Sequence, residues 1–123
     1  MLVDTDVMIW HLRGYAQATR RLDQLGTLTL SAVTYLEVLQ GMRNRPNSLR
    51  CRRCCSDATI LPLTDTITQQ AIALMELLTL SHRLQMGDAL IAATALVHQL
   101  PLFTGNVKHF AAVEHLLIEG FSI

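Results

Sequence analysis

The sequence lacks any apolar segment long enough to cross a membrane. Its longest apolar run, from Ala89 to Val97, is interrupted by Thr94 and is well short of the roughly 20 residues that a spanning helix needs. The first six residues include acids where a signal peptide would carry basic side chains. We therefore expect a cytoplasmic protein without membrane spans.

Cysteine is scarce, and the three cysteines lie within five positions as Cys51, Cys54 and Cys55. An odd, clustered set excludes a disulfide framework and indicates a reducing compartment. Cys51 and Cys54 have the spacing of some zinc and redox sites, but no second such pair follows. The simpler interpretation is that these thiols are buried or half-buried residues of a helix.

An excess of charge of one sign is also missing, because ten basic and ten acidic side chains cancel. The protein therefore has no global field to attract a polyanion such as RNA. Half of the basic residues nevertheless lie within eleven positions. Such a segment either binds phosphate groups or forms a solvated helix face, and the sequence leaves both open. Its members are Arg43, Arg45, Arg50, Arg52 and Arg53.

What the chain does contain is an alternation of short apolar runs and helical segments over 123 residues, half of them apolar. This length fits one domain spanning residues 1–123. The alternation predicts an α/β fold in three layers, with helices on both faces of a central, mainly parallel sheet of about five short strands. We expect the strands at residues 1–3, 27–30, 59–61, 102–104 and 116–118.

Three segments have helical character. One begins after the N-cap Ser31 and is expected to bury a stripe that includes Leu36. The segment from Thr64 to His82 is apolar on nearly every side, which predicts a second covered face, such as a subunit contact. The alanine-rich segment from Gly87 to Leu100 should pack closely against the sheet.

Three acids occupy separate elements. Asp4 follows the first strand, which should be central because its apolar run needs cover on both faces. In such sheets ligands bind beyond the carboxyl ends of the strands. The alternative role, capping a helix that begins near residue 7, fits Asp6 better. Glu37 has no cation one helical turn away, and Asp88 opens the alanine-rich helix, where acids also stabilise the N-terminus.

If these carboxylates meet, each pair about 4 Å apart costs on the order of 4 kcal/mol at an effective dielectric of 20. A bound cation would offset that repulsion. Mg²⁺ and Mn²⁺ are the natural candidates, since both prefer carboxylate oxygen and keep several waters. The sequence therefore predicts a divalent metal site at Asp4, Glu37 and Asp88.

Four pieces of the chain, in matching order and spacing, resemble the PIN domain family and, within it, the VapC-type toxins of bacterial toxin–antitoxin pairs. They are residues 2–5, 31–41, 88–94 and 103–106. The resemblance implies a parallel sheet flanked by helices, Mg²⁺ or Mn²⁺, and endonucleolytic cleavage of RNA. It also implies a homodimer that a small cognate antitoxin inhibits.

Carried over residue by residue, the resemblance makes Asp4, Glu37 and Asp88 the catalytic acids and metal ligands. Asn106 becomes a further metal ligand, at a position where many relatives carry Asp. Its neutral amide would hold a metal less strongly, which puts a tightly held second metal in doubt. Supporting positions are Thr5, Asp6, Ser31, Thr34 and Thr104.

Under this hypothesis metal-activated water attacks the scissile phosphate in line, leaving a 5′-phosphate and a 3′-hydroxyl. The five histidines are scattered and do not indicate a metal-free acid–base ribonuclease. Two alternatives remain. One is a non-catalytic scaffold that binds RNA or protein. The other is a phosphatase of the haloacid-dehalogenase type, because Asp4 and Asp6 match its D-x-D opening, although the expected lysine between its motifs is absent.

Overall fold

In the computed structural model, which describes residues 1–123, five strands form one sheet in the order β3-β2-β1-β4-β5. All four pairs of neighbours are parallel. The predicted α/β fold is confirmed, and the first strand is central as expected. The strands are β1 Leu2–Val3, β2 Thr29–Ser31, β3 Thr59–Leu61, β4 Leu102–Thr104 and β5 Ile118–Gly120.

Seven helices connect these strands and cover the sheet. Successive residues of a strand point to opposite faces, so Leu2 packs in one apolar core and Val3 in the other. Leu102 and Phe103 divide in the same way on the neighbouring strand. This division gives the predicted three layers. The helices are α1 Thr5–Leu12, α2 Ala16–Leu25, α3 Ala32–Gln40, α4 Arg45–Cys54, α5 Asp65–His82, α6 Met86–His98 and α7 Val107–Phe110.

Several helices begin where the sequence indicates. Ser31 is the N-cap of α3, and its Oγ accepts from the Val33 N–H at 3.1 Å. Thr64 caps α5 in the same way through the Ile67 N–H at 3.2 Å. The alanines of α6 are fully buried, which lets this helix lie close to α5 and the sheet. No helix combines the length and the apolar character needed to cross a membrane.

Three expectations need correction. Leu36 is 61% exposed, because α3 lies between the two cores and packs through Val33 in one and Val38 in the other. The fifth strand starts at Ile118, two residues later than predicted, since Leu116 packs as a loop residue against the core. The second strand also starts two residues later than predicted, at Thr29, since its pairing with β1 and β3 begins there. The second face of α5 is open within the single chain, where Leu80 is 96% exposed, so its cover by a subunit contact stays a prediction.

Candidate active site

Asp4 lies where the central strand β1 passes directly into α1. It is 4% exposed, and it is itself the N-cap of α1, with Oδ1 accepting from the Thr5 N–H at 2.7 Å. The expectation that Asp6 caps a helix beginning near residue 7 is therefore wrong. The strand leads into the helix without a loop, so α1 begins at Thr5 and Asp6 falls within its first turn.

The other oxygen of Asp4 is held by the neighbouring strand. Thr104, the last residue of β4, donates its hydroxyl to Asp4 Oδ2 at 2.7 Å. The Asn106 N–H donates in turn to Thr104 Oγ1 at 2.9 Å. The ends of β1 and β4 are thus joined by a short chain of hydrogen bonds that fixes the Asp4 carboxylate.

Asp6 connects α1 with the loop after β4. Its Oδ1 accepts from the Val7 N–H at 2.8 Å, and its Oδ2 accepts from the Gly105 N–H at 3.0 Å. A Cβ at position 105 would lie 2.8 Å from Asp6 Oδ2 and 2.6 Å from the Trp10 ring. Only glycine allows the loop to approach so closely.

Glu37 reaches the same edge of the sheet from α3. The Thr5 hydroxyl donates to Glu37 Oε1 at 2.7 Å and lies 3.2 Å from Thr34 Oγ1. Glu37 Oε2 would be only 3.0 Å from a Cβ at position 87, so the start of α6 passes against this carboxylate. As a whole residue Glu37 is exposed, so it lies at the solvent side of the acids.

Asp88 lies in the first turn of α6, as predicted. Its side chain is 22% exposed, and His109 Nδ1 of α7 lies 3.8 Å from Asp88 Oδ2. The sequence motifs assign no role to two residues that lie near the acids, and His109 is one of them. The other is Gly87, whose only sequence signal is its position directly before Asp88.

The acids are close enough to influence one another's protonation. The pKa of Asp4 is raised from its usual 3.8 to about 7, chiefly by burial and in part by the charges of Asp6 and Asp88, while the hydrogen bonds from Thr104 and Thr5 lower it. Burial also raises the pKa of Asp6. Burial again leads in raising the pKa of Asp88, with repulsion from Glu37 and Asp6 and an opposing effect of His109. The site therefore disfavours its own negative charge.

These features fit a hard divalent cation. The donors are carboxylate oxygens, and a cation would offset the burial of these charges and the repulsion that contributes to the raised pKa values of Asp4 and Asp88. No three Asp, Glu, His or Cys side chains stand close enough to hold one ion as they are. A bound cation would therefore have to draw these side chains closer together.

Other predicted residues lie elsewhere. The Ser31 hydroxyl is occupied in capping α3. The five arginines are exposed on and before α4, and Arg43 and Arg50 line a cleft of about 510 Å³ whose floor includes Leu12 and Val38. Cys51 and Cys55 are buried residues at α4, whereas Cys54 is exposed, contrary to the expectation that all three thiols are buried or half-buried. None of them forms a disulfide.

Comparison with known proteins agrees with this architecture. The family model for the PIN domain matches residues 1–116, and the chain therefore belongs to the PIN domain family. Ribonuclease VapC10 of Mycobacterium tuberculosis is 39% identical over 122 residues, which cover 94% of this chain and 90% of that protein. Ribonuclease VapC19 of the same species is 33% identical over 115 residues, covering 89% and 90%.

Solved structures share the fold over nearly the whole chain. A toxin–antitoxin complex from Klebsiella pneumoniae contains a chain that is 28% identical with a TM-score of 0.83, covering 99% of this chain and 98% of that one. The structure of VapBC2 from Rickettsia felis bound to a promoter DNA fragment gives a TM-score of 0.86 at 18% identity, with 98% of both chains covered. The latter likeness shows the fold alone.

Proposed function

We propose that this protein is a metal-dependent endoribonuclease and the toxin of a toxin–antitoxin pair, with Asp4, Glu37 and Asp88 as its catalytic acids. One observation carries the proposal. The Asp4 carboxylate is buried at the end of the central strand and has Asp6 and Asp88 as negative neighbours. A buried carboxylate without a cation partner is costly, and a site for Mg²⁺ or Mn²⁺ explains why it is there.

In this proposal Asp4, Glu37 and Asp88 would hold the ion, with Asn106 beside them. When bound, a divalent cation supplies water activation and neutralises charge that develops on the scissile phosphate. The chain's own residues do the positioning. Thr104 fixes one oxygen of Asp4, and Thr5 fixes one oxygen of Glu37.

The arginine segment supports RNA as the substrate. Arg43, Arg45, Arg50, Arg52 and Arg53 are exposed, and none of them belongs to either of the two ion pairs of the chain. Free guanidinium groups bind phosphate oxygens with charge-assisted hydrogen bonds. These side chains are therefore available to hold an RNA backbone.

The relatives extend the proposal to partners. The named relatives are VapC ribonucleases, and the Klebsiella structure is a toxin–antitoxin complex. We therefore propose that this protein binds a small cognate antitoxin. We also propose that residues 1–123 form a single domain and that the protein is cytoplasmic. We further propose that the protein forms a homodimer. The uncovered face of α5 supports this, because Ile72, Leu77 and Leu80 on it are 53%, 69% and 96% exposed.

The decisive experiment incubates purified protein with total RNA and Mg²⁺ or Mn²⁺, with and without a chelator. Asp4→Asn and Asp88→Asn should each lower the cleavage rate by more than the about 10–100-fold that loss of an outer-shell partner costs. Glu114→Gln, which changes an exposed acid outside the site, should cut as the wild type does.

The alternatives give different results. A PIN-like scaffold would bind RNA or an antitoxin peptide but cut nothing with either metal. Membership of the PIN family favours the nuclease over the phosphatase. Cleavage that survives the chelator and both Asn substitutions would overturn the proposal.

A further inference from the structure

Asp6 is the acid at this edge of the sheet that has no assigned role. Asp4 is the N-cap of α1, and Asp6 is not among the three proposed catalytic acids. It is half-buried in the first turn of α1. Its two oxygens accept from two separate backbone N–H groups, at Val7 and Gly105. These bonds fix the carboxylate between α1 and the loop after β4, so that it cannot swing out to solvent.

The loop is shaped around this carboxylate. Gly105 has no side chain, and any Cβ there would collide with Asp6 Oδ2 and with Trp10. The next residue, Asn106, is bonded through its N–H to Thr104, and Thr104 is bonded to Asp4. Asp6 and Asn106 therefore border the same small region beside Asp4, one from α1 and the other from the loop.

Of these two residues only Asp6 brings charge. Its negative charge raises the pKa of both Asp4 and Asp88. Asn106 is a neutral amide and is exposed. The negative potential at Asp4 and Asp88 therefore comes in part from Asp6.

We infer that Asp6, and not Asn106, supplies the fourth negative charge that a divalent cation meets at this site. The inference rests on the proposed function. It makes positions 6 and 106 alternatives, because a carboxylate at either one would add its charge next to Asp4. In this chain the loop carries the amide and α1 carries the acid.

The test is a double-mutant cycle read by calorimetric titration with Mn²⁺ alone, without RNA. Asp6→Asn should weaken Mn²⁺ binding about 10–100-fold. Adding Asn106→Asp to that variant should restore most of the loss, whereas Asn106→Asp in the wild type should gain much less. Such non-additivity is the sign of two residues acting in one place. Asp65→Asn, which changes an exposed first-turn acid of α5, should bind Mn²⁺ as the wild type does.

Each other outcome decides against the inference. Wild-type affinity in Asp6→Asn overturns it, and so does a loss that Asn106→Asp does not restore. If the wild type neither binds Mn²⁺ nor cuts RNA, the proposed function fails together with the inference. If the wild type does both and Asp6→Asn keeps wild-type affinity, only the inference fails. Circular dichroism checks folding, and Asp6→Ser replaces Asp6→Asn in the same cycle if the latter does not fold.

Discussion

The two charged regions of this chain are built in opposite ways. At the carboxyl edge of the sheet, Asp4, Asp6 and Asp88 are wholly or partly buried, and burial raises the pKa of each. The arginine segment around α4 is exposed and free of ion pairs. The acids carry a folding cost that the arginines avoid.

This difference indicates two kinds of binding. A buried set of like charges gains from a compact cation, because the cation offsets the cost of burying each charge. Solvated arginines stay mobile and hydrated, and they contact a long polyanion one phosphate at a time. The comparison predicts large effects of substitutions at the first region and small, cumulative effects at the second.

The largest effect concerns pH. Because the pKa of Asp4 is raised from 3.8 to about 7, the folded state binds this proton more tightly than the unfolded state does. The free energy of unfolding should therefore fall as pH rises through that window. At about 1.4 kcal/mol per pH unit, the Asp4 contribution reaches up to about 4 kcal/mol.

The measurement is urea unfolding of chelator-treated protein at several pH values between 4 and 8. Asp6 and Asp88 act in the same direction, so the Asp4 part is the difference between the wild type and Asp4→Asn. Saturating Mn²⁺ should remove most of the dependence. A wild type whose free energy of unfolding follows the same pH profile as that of Asp4→Asn would break the comparison.

A medium effect is expected from Gly105→Ala. The new methyl group would lie 2.6 Å from the Trp10 ring and 2.8 Å from Asp6 Oδ2, and overpacking of this kind costs about 1–3 kcal/mol. Urea unfolding measures the loss. The matched control is Gly41→Ala, whose Cβ would meet backbone oxygens at an ordinary 3.5 Å and should leave the free energy of unfolding almost unchanged. Equal losses in both variants would contradict the close approach at Gly105.

The smallest effects belong to the arginines. Arg43→Ala and Arg50→Ala should each change the free energy of unfolding by less than about 0.5 kcal/mol, as is usual for exposed residues. Removing one arginine that binds a phosphate should reduce the salt slope of RNA binding by about 0.7. Fluorescence anisotropy with labelled single-stranded RNA, in an Asp88→Asn background, gives the slope. Arg20→Ala, at an exposed position of α2, is the control, and an equal reduction there would remove the role assigned to the segment.

Local sequence patterns were sufficient to predict most of the strands. Apolar runs located β1, β3 and β4, and the acid that directly follows the first run pointed to Asp4. Thr104 was assigned only through the resemblance to the PIN domain family. Expectations that needed tertiary contacts were less accurate. Leu36 has the spacing of a buried residue, but the position of α3 between two cores turns it outward.

The same distinction holds at the candidate site. Asp4 and Asp88 were predicted as acids at element ends, and Glu37 as a helix acid with no cation one turn away. The structure brings their elements to one edge of the sheet. The contacts of Gly105 with Asp6 and of Gly87 with Glu37 depend on how loops and helices approach one another. Their only sequence signal is position, since Gly105 lies within residues 103–106 and Gly87 lies directly before Asp88. The role of Asp6 was misjudged for a related reason, since the cap depends on where α1 begins.

The hydrogen bond between Thr104 and Asp4 joins residues 100 positions apart. The central strand β1 is synthesised before its neighbour β4, and the hydrogen bond can form only after β4 has left the ribosome. Contacts this distant form late, after the loop-closure entropy has been overcome. Under the proposed function, a nascent or prematurely terminated copy that lacks β4 cannot assemble the site, so nuclease activity can arise only from chains that have been synthesised past Thr104.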